Sequence, residues 1–174
     1  MYVPESLSAE HDSSEFDSGE AELDIWLKRS AMEGQRKGTG RTFVWVARDD
    51  PRHRVLAYYT LAAHVIEREQ LSKKLGRGMP RQLPAVLLGR LALDRSLHGQ
   101  GLGGAVLAEA ISRVVDVSAQ LGARYLVVNA LHVRAADFYQ HYGFAPVPDQ
   151  HSLRLVLRIR PELLQPCPSA VTCT

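Results

Sequence analysis

Apolar residues recur along this chain with two different periods, and each period points to an element type. In SGEAELDIWLKRSAMEG, Leu23, Trp26, Leu27 and Ala31 fall three and four residues apart, which predicts an amphipathic helix with Ser18 as a candidate cap and Gly34 as its end. The β-branched and aromatic runs TFVWVAR and RVLAYYTLAAHV predict two strands, joined through DDPRH as a hairpin. EREQLSKKL suits a short helix, and GRGMPRQLP a loop punctuated by Gly and Pro. AVLLGRLALD is apolar at nearly every position, as in a strand buried on both faces; Gly89 inside it marks a bulge or a close ligand approach. Val106, Leu107, Ala110, Ile111, Val114, Val115 and Leu121 then trace one side of an amphipathic helix. A strand RYLVVNAL, a helix RAADFYQHYG and a last strand LRLVLRI follow. Strands interleaved with helices imply an α/β fold, a mixed central sheet flanked by helices with parallel crossovers in its second half.

At 174 residues the chain suits one domain with its own core. Residues 1–161 are expected to form it, with 1–15 as a loose acidic arm and 162–174 as a flexible tail. The opening MYVPESLSAEHDSSEF has no basic region followed by an apolar one, and the runs VLAYYTLAAHVI and AVLLGRLAL fall short of the ~18 residues of a membrane span. A cytoplasmic protein with no membrane contact is therefore expected. Cys167 and Cys173 lie in PCPSAVTCT without metal-ligand spacing, so they read as free, inert thiols and no metal site is expected.

Charge changes the picture more. Residues 1–24 hold eight acidic side chains and no Lys or Arg, leaving 21 cationic against 11 acidic side chains on the rest, a net +10 beneath the overall +2. Arg29, Arg36, Lys37, Arg41, Lys73, Lys74, Arg77 and Arg81 contribute much of it before the middle of the chain. They read either as a surface for a polyanion or as an ordinary solvated face.

The densest chemical signal is LALDRSLHGQGLGG, where Gly99, Gly101, Gly103 and Gly104 stand between a strand and a helix. Glycine lets the backbone approach a ligand closely, and the first N–H groups of the helix are unpaired and partially positive. Such a turn suits an anion, most simply a phosphate. No GxxxxGK[ST] is present, and the spacing is not that of the dinucleotide fingerprint. A tight strand-to-helix turn would need fewer glycines.

The strand LLGRLALD, the turn HGQGLGG with its helix, and LVVNALHVRAADFYQHYGF together resemble the GNAT family of acetyl-CoA-dependent N-acetyltransferases, over most of residues 15–160. Within it, FDSGEAELDIWLKRSAMEGQRKGTGRTFVWV, LAYYTLAA, MPRQLPAVLLGRLALDRSLHGQGLGG and FYQHYGF occur in the order found in bacterial toxins that acetylate charged tRNA. The resemblance implies the GNAT fold, with a bulged strand before the acetyl-CoA loop. It implies acetyl-CoA as cosubstrate, an antitoxin of the ribbon-helix-helix type and a homodimer.

Carried onto this sequence, the family turn Q/R-x-x-G-x-G/A becomes His98-x-x-Gly101-x-Gly103, so the backbone of His98, Gly99, Gln100, Gly101, Leu102, Gly103 and Gly104 would hold the coenzyme's diphosphate. His98 departs from the pattern and reads as a brace for the loop. Leu91, Ala92 and Leu93 would offer backbone groups to pantetheine, and Ala135 and Phe138 would border the coenzyme. Where the family often has a pantetheine-bonding Asn, this chain has His132, with Asn129 as a strand-end substitute.

Tyr139 is the resemblance's proton donor for the departing thiolate; the alternative is a core aromatic like Phe138 beside it. No Asp or Glu occurs in TFVWVAR or LAYYTLAA to act as a base. That favours an acceptor such as the α-amino group of aminoacyl-tRNA, which titrates near or below about 7.7–8.0, over lysine at about 10.4. Three functions compete: a tRNA-acetylating toxin, an acetyltransferase for a small-molecule or protein amine, and a non-catalytic acyl-CoA-binding regulatory module.

Overall fold

The two longest apolar runs of the chain pair antiparallel at the heart of a seven-stranded sheet. The computed structural model describes residues 1–149 and 151–160; the expected C-terminal tail, with Cys167 and Cys173, lies outside them. In chain order the elements are β1 (Tyr2–Ser6), α1 (Ala21–Arg29), α2 (Ala31–Lys37), β2 (Arg41–Ala47), β3 (Ala57–Glu67), α3 (Lys73–Gly76), β4 (Gln82–Leu93), α4 (Leu102–Leu121), β5 (Tyr125–Asn129), α5 (Val133–His141), β6 (Ala145–Pro146) and β7 (Arg154–Arg158). The sheet order is β1-β2-β3-β4-β5-β7-β6, the mixed α/β architecture that the patterning implies.

Alternation along the strands sends side chains to opposite faces. On one face Trp45, Tyr59, Leu88, Leu126 and Leu155 meet Val106, Leu107 and Ala110 of α4 and Ala136 of α5. On the other, Val44, Val46, Tyr58 and Ala92 meet Leu27 of α1 and Ala31 of α2, while Leu71, beside α3, joins Ile66, Leu83, Tyr125 and Val127.

Several expectations change. The single helix is two, broken at Ser30, and it ends at Gly38 rather than Gly34: Gly38 takes the left-handed conformation (φ 72°) that closes the last turn, whereas Gly34 remains helical. Ser18 does not cap it. Its hydroxyl donates to Asp24 Oδ1 at 2.6 Å, and Glu20 holds the cap position. Residues 1–15 are not a loose arm. Tyr2–Ser6 pairs with β2, Tyr2 stacks on Trp45, Leu7 is buried, and Asp12 and Glu15 are neutralised by Arg52. The end of the expected loop GRGMPRQLP already belongs to β4. From Ala85 to Leu93 no residue of that strand is exposed, Ala85, Leu88 and Ala92 being buried and the rest half-buried, whereas Gln82 and Pro84, ahead of the apolar run, are exposed. Among the strands of the described residues only β4 and β5 run parallel, through α4 as crossover, because β7 returns antiparallel to β5. Leu121, expected on the inner side of α4, is exposed in its last turn. No helix among the described residues is long and apolar enough to cross a membrane.

One irregularity positions the site. β3 and β4 pair Leu61 with Leu88 but Thr60 with Arg90, so Gly89 has no partner on β3. The β4–β5 ladder runs only from Ala85–Tyr125 to Leu88–Val128, although β4 continues to Leu93.

Leu107 is fully buried where α4 meets the sheet. Leu107→Ala should cost about 2–5 kcal/mol, read as a lower urea midpoint with unchanged slope.

Candidate active site

Past Leu88, β4 stays with β3 and leaves β5, so the backbone of Gly89–Leu93 has an unpaired edge. A cavity of about 840 Å³ occupies the gap. Its walls bring together Leu91, Ala92, Leu93, His98, Gly99, Gly101, Leu102, Gly103, Gly104, Asn129, His132, Ala135, Phe138 and Tyr139. Gln100 is not among them; its side-chain amide donates to Ser96 O at 3.1 Å and braces the turn from outside.

The glycine turn is shaped by its backbone. Gly99 (φ 75°) and Gly101 (φ 72°) are left-handed, and Gly101 sits at the N-terminus of α4 with no side chain capping the free N–H groups. A Cβ on Gly104 would collide with the Tyr142 hydroxyl, so the Tyr142 ring would have to shift to admit a side chain where the end of α5 meets α4. His98 Nε2 donates to Leu93 O at 2.8 Å, closing the loop onto the end of β4. Asp94 holds it from below, accepting from Ser96 N (3.0 Å), Ser96 Oγ (2.7 Å) and Asp17 N (3.0 Å). Partial burial raises the Asp94 pKa, but these hydrogen bonds outweigh it and hold the carboxyl below its ordinary 3.8.

α5 begins on His132. Its Nδ1 accepts from Ala135 N at 3.1 Å, and Nε2 lies 3.0 Å from Glu20 Oε1. A backbone N–H can only donate, so Nδ1 is bare and Nε2–H is the donor to Glu20. Both ring nitrogens are thereby engaged. Asn129 is also engaged, its Oδ1 accepting from Arg154 Nε at 2.8 Å. Tyr139 lies on the inner side of α5, 6% exposed, between Phe138 and Phe144. Burial pushes its phenol well above the ordinary value of 10.0, so it stays protonated. A neutral acid thus stands in the same cavity as an anion cradle and an open strand edge, an arrangement suited to an extended anionic ligand whose far end accepts a proton.

Four charged lining residues, Glu20, Glu22, Arg90 and Arg134, escaped the sequence reading. Glu20 and Glu22 reach the cavity from the start of α1, so carboxylates absent from the central strands are nevertheless present. Nothing in sequence separates them from the acids common at helix starts. Arg90 also lines the cavity, and it had a signal: a lone charge in the apolar run LLGRLALD.

The basic candidates fall elsewhere. Arg29, Arg36, Lys37 and Arg41 are exposed around α1, α2 and the start of β2, and Lys73, Lys74, Arg77 and Arg81 around α3; none lines the cavity. Arg36 and Lys37 pair with Glu33, and Arg81 with Glu67. Among the described residues no group of three His, Cys, Asp or Glu side chains could hold a metal ion.

Comparison with known proteins places these features in context. Residues 40–146 match the family described as Acetyltransferase (GNAT) domain. A tRNA-acetylating toxin of Mycobacterium tuberculosis is 36% identical over 156 residues, covering 88% of this chain and 92% of that protein. The solved structure of AtaT complexed with acetyl-methionyl-tRNAfMet superposes with a TM-score of 0.84 at 34% identity, over 91% of this chain and 95% of that one. A Tyr→Phe mutant of AtaT bound to the C-terminus of the antitoxin AtaR and acetyl-CoA gives 0.78 at 32% identity, over 91% and 93%.

Because the folded-state pKa of Asp94 is depressed, its contribution to stability is present above 3.8 and lost as pH falls through the lowered value. Asp94→Asn should lower the urea midpoint at neutral pH and flatten its decline under acid conditions.

Proposed function

The chain belongs to the GNAT acetyltransferase family and is an N-acetyltransferase, and we propose that it is a toxin that moves the acetyl group of acetyl-CoA to the α-amino group of aminoacyl-tRNA, blocking translation. The observation that carries this is one continuous cavity running from the glycine cradle along the open edge of β4 to Tyr139. The residues fit the coenzyme: a Cβ at Gly99 or Gly101 would point into open space, leaving backbone N–H groups of the α4 start exposed to a diphosphate.

Bound acetyl-CoA supplies the thioester. The N–H groups of residues 99–104 would hold its diphosphate, and His98 and Asp94 keep that loop in place. Leu91 and Leu93 would offer backbone groups to the pantetheine arm along the edge that β5 vacates, and an N–H of that edge would stabilise the thioester oxygen as it gains charge. Ala135 and Phe138 wall the arm on the α5 side. His132 and Asn129, whose polar atoms are occupied by the protein, act by holding backbone rather than by bonding the arm. Tyr139 donates its proton to the departing sulfur. The desolvation that raises its pKa also disfavours a thiolate beside it, so the transfer is less uphill than the phenol's shift alone suggests.

The acceptor assignment is supported by the relatives named for tRNA acetylation. Glu20 and Glu22 in the cavity remove the missing base as an argument for it, but they suit an acceptor that arrives as an ammonium, which would lose one proton to water before attack and its second, as the amide forms, to the phenolate left on Tyr139. The exposed cations around α1–α2 and α3 would meet the tRNA backbone. A ribbon-helix-helix antitoxin, a homodimer and a cytoplasmic location complete the proposal.

Tyr139→Phe should keep coenzyme affinity and lose about 10²–10⁴ in turnover; acetylation within a few-fold of the parent enzyme would make Tyr139 a packing residue. For the acceptor, mass spectrometry of bulk aminoacyl-tRNA incubated with enzyme and labelled acetyl-CoA should find label on an aminoacyl group. Label on a free small amine alone would transfer the assignment to small-amine acetylation.

A further inference from the structure

We infer that Arg90 is the seat for the phosphate of the acceptor's terminal nucleotide, and so the residue that makes the site prefer an aminoacylated nucleotide to a free amine. This rests on the aminoacyl-tRNA assignment above and adds a specificity residue to it.

The local geometry is unusual for a charge in an apolar strand. Arg90 directly follows Gly89, the residue that β3 leaves unpaired. Its guanidinium carbon lies 4.3 Å over the Trp26 ring, and Trp26 stacks on Tyr58 with ring centroids 5.9 Å apart and planes within 17°. Tyr58 is fully buried, and its hydroxyl donates to Leu23 O at 2.8 Å. The cation is therefore held against a pillar anchored in the core, which leaves little side-chain freedom to lose on binding.

Its donors are not spent on the protein. Arg90 Nε is buried with no hydrogen-bond partner, and among the described residues no hydrogen bond or ion pair engages the rest of the guanidinium. A contrast is available in the same molecule. Arg113 also stacks on an aromatic ring, 4.0 Å over Phe43, but it donates to Tyr59 Oη at 2.9 Å and to Glu109 at 2.7 Å. Arg113 is a satisfied structural cation; Arg90 also lies over a ring, but its guanidinium has no protein acceptor among the described residues, and the residue lines the cavity.

Position identifies the anion. The glycine cradle lies at the start of α4, whereas Arg90 sits with Trp26 on the α1 side of the sheet, so the coenzyme's diphosphate is already served elsewhere. Glu20 and Glu22 line the same cavity, yet neither is within ion-pair distance of Arg90. The cavity thus keeps the two charge signs apart: Glu20 is engaged by His132, whereas Glu22 has no hydrogen-bond or ion-pair partner among the described residues. A simple amine would use Glu22 and leave the guanidinium unpaired, a costly state for a desolvated donor. An aminoacylated 3′ nucleotide carries an ammonium and a phosphate together and satisfies both, the phosphate bidentately.

The test uses the full chain and the amino acid that it labels on bulk aminoacyl-tRNA, attached through a stable amide to the 3′ position of adenosine or of adenosine 5′-monophosphate. The parent enzyme should favour the phosphorylated acceptor in kcat/KM by roughly ten- to hundred-fold. Arg90→Gln should abolish that preference, raise KM for tRNA, and make the log–log salt dependence of tRNA binding shallower by about 0.7, the value of one phosphate contact on a single strand. Coenzyme affinity by calorimetry should not change, and Arg90→Lys should keep part of the preference. A parent enzyme indifferent to the phosphate, or an Arg90→Gln variant that binds coenzyme normally and retains both preference and salt slope, would overturn the inference while leaving tRNA acetylation intact. Failure of the parent enzyme to label any aminoacyl-tRNA would instead remove the acceptor assignment, and the role of Arg90 with it.

Discussion

β4 must satisfy two neighbours that it cannot follow to the same point. It hydrogen-bonds β5 as far as Leu88 and β3 as far as Leu93, and the residue unpaired at Gly89 reconciles the two registers. A polar backbone edge facing a cavity needs partners, so the gap between β4 and β5 favours an extended ligand that offers amide groups of its own. The α4 start lies at the end of the same gap because α4 is the crossover that returns the chain to β5. Cradle, open edge and bulge are consequences of one departure of strands.

The segment before α1 closes this arrangement from the far side. Asp17 accepts from Arg95 N (2.8 Å) and donates its own N–H to Asp94, and Glu20 meets His132. Residues distant in sequence thereby fix the glycine turn and the beginning of α5. The acidic character of the first 24 residues, which suggests a repelled arm, is in the folded protein spent on Arg52, Arg95, His132 and helix-start contacts.

What was legible in the sequence were features carried by local periodicity or by glycine. The strand around Gly89, the turn at 98–104, the long helix after it and the placing of Tyr139 one turn beyond Ala135 follow from spacing and from a family pattern written in contiguous residues. What was not legible depends on contacts between distant segments. Tyr2–Ser6 becomes a strand only because β2 offers an edge. Ser30 breaks a helix whose apolar period continues through it. His132 and Asn129 are preoccupied by Glu20 and Arg154, partners 112 and 25 residues away in the chain. Arg90 could have been noticed as a charge out of place, but its free fork and the pillar beneath it exist only in three dimensions.

The close approach of α4 and α5 sets a length. With no side chain on Gly103 or Gly104, Phe138 and Tyr142 rest directly on the first turn of α4, and Phe138 touches both Tyr139 and Tyr142 with ring centroids 5.3 and 5.1 Å apart. On the proposed mechanism, the turn that would grip an anion and the hydroxyl that would meet the leaving atom are therefore parts of one packed caliper. Its jaws would measure the span between the phosphate end and the sulfur end of whatever enters, so a carrier with a shorter or longer arm would be rejected by distance alone, before any of its chemistry is tested.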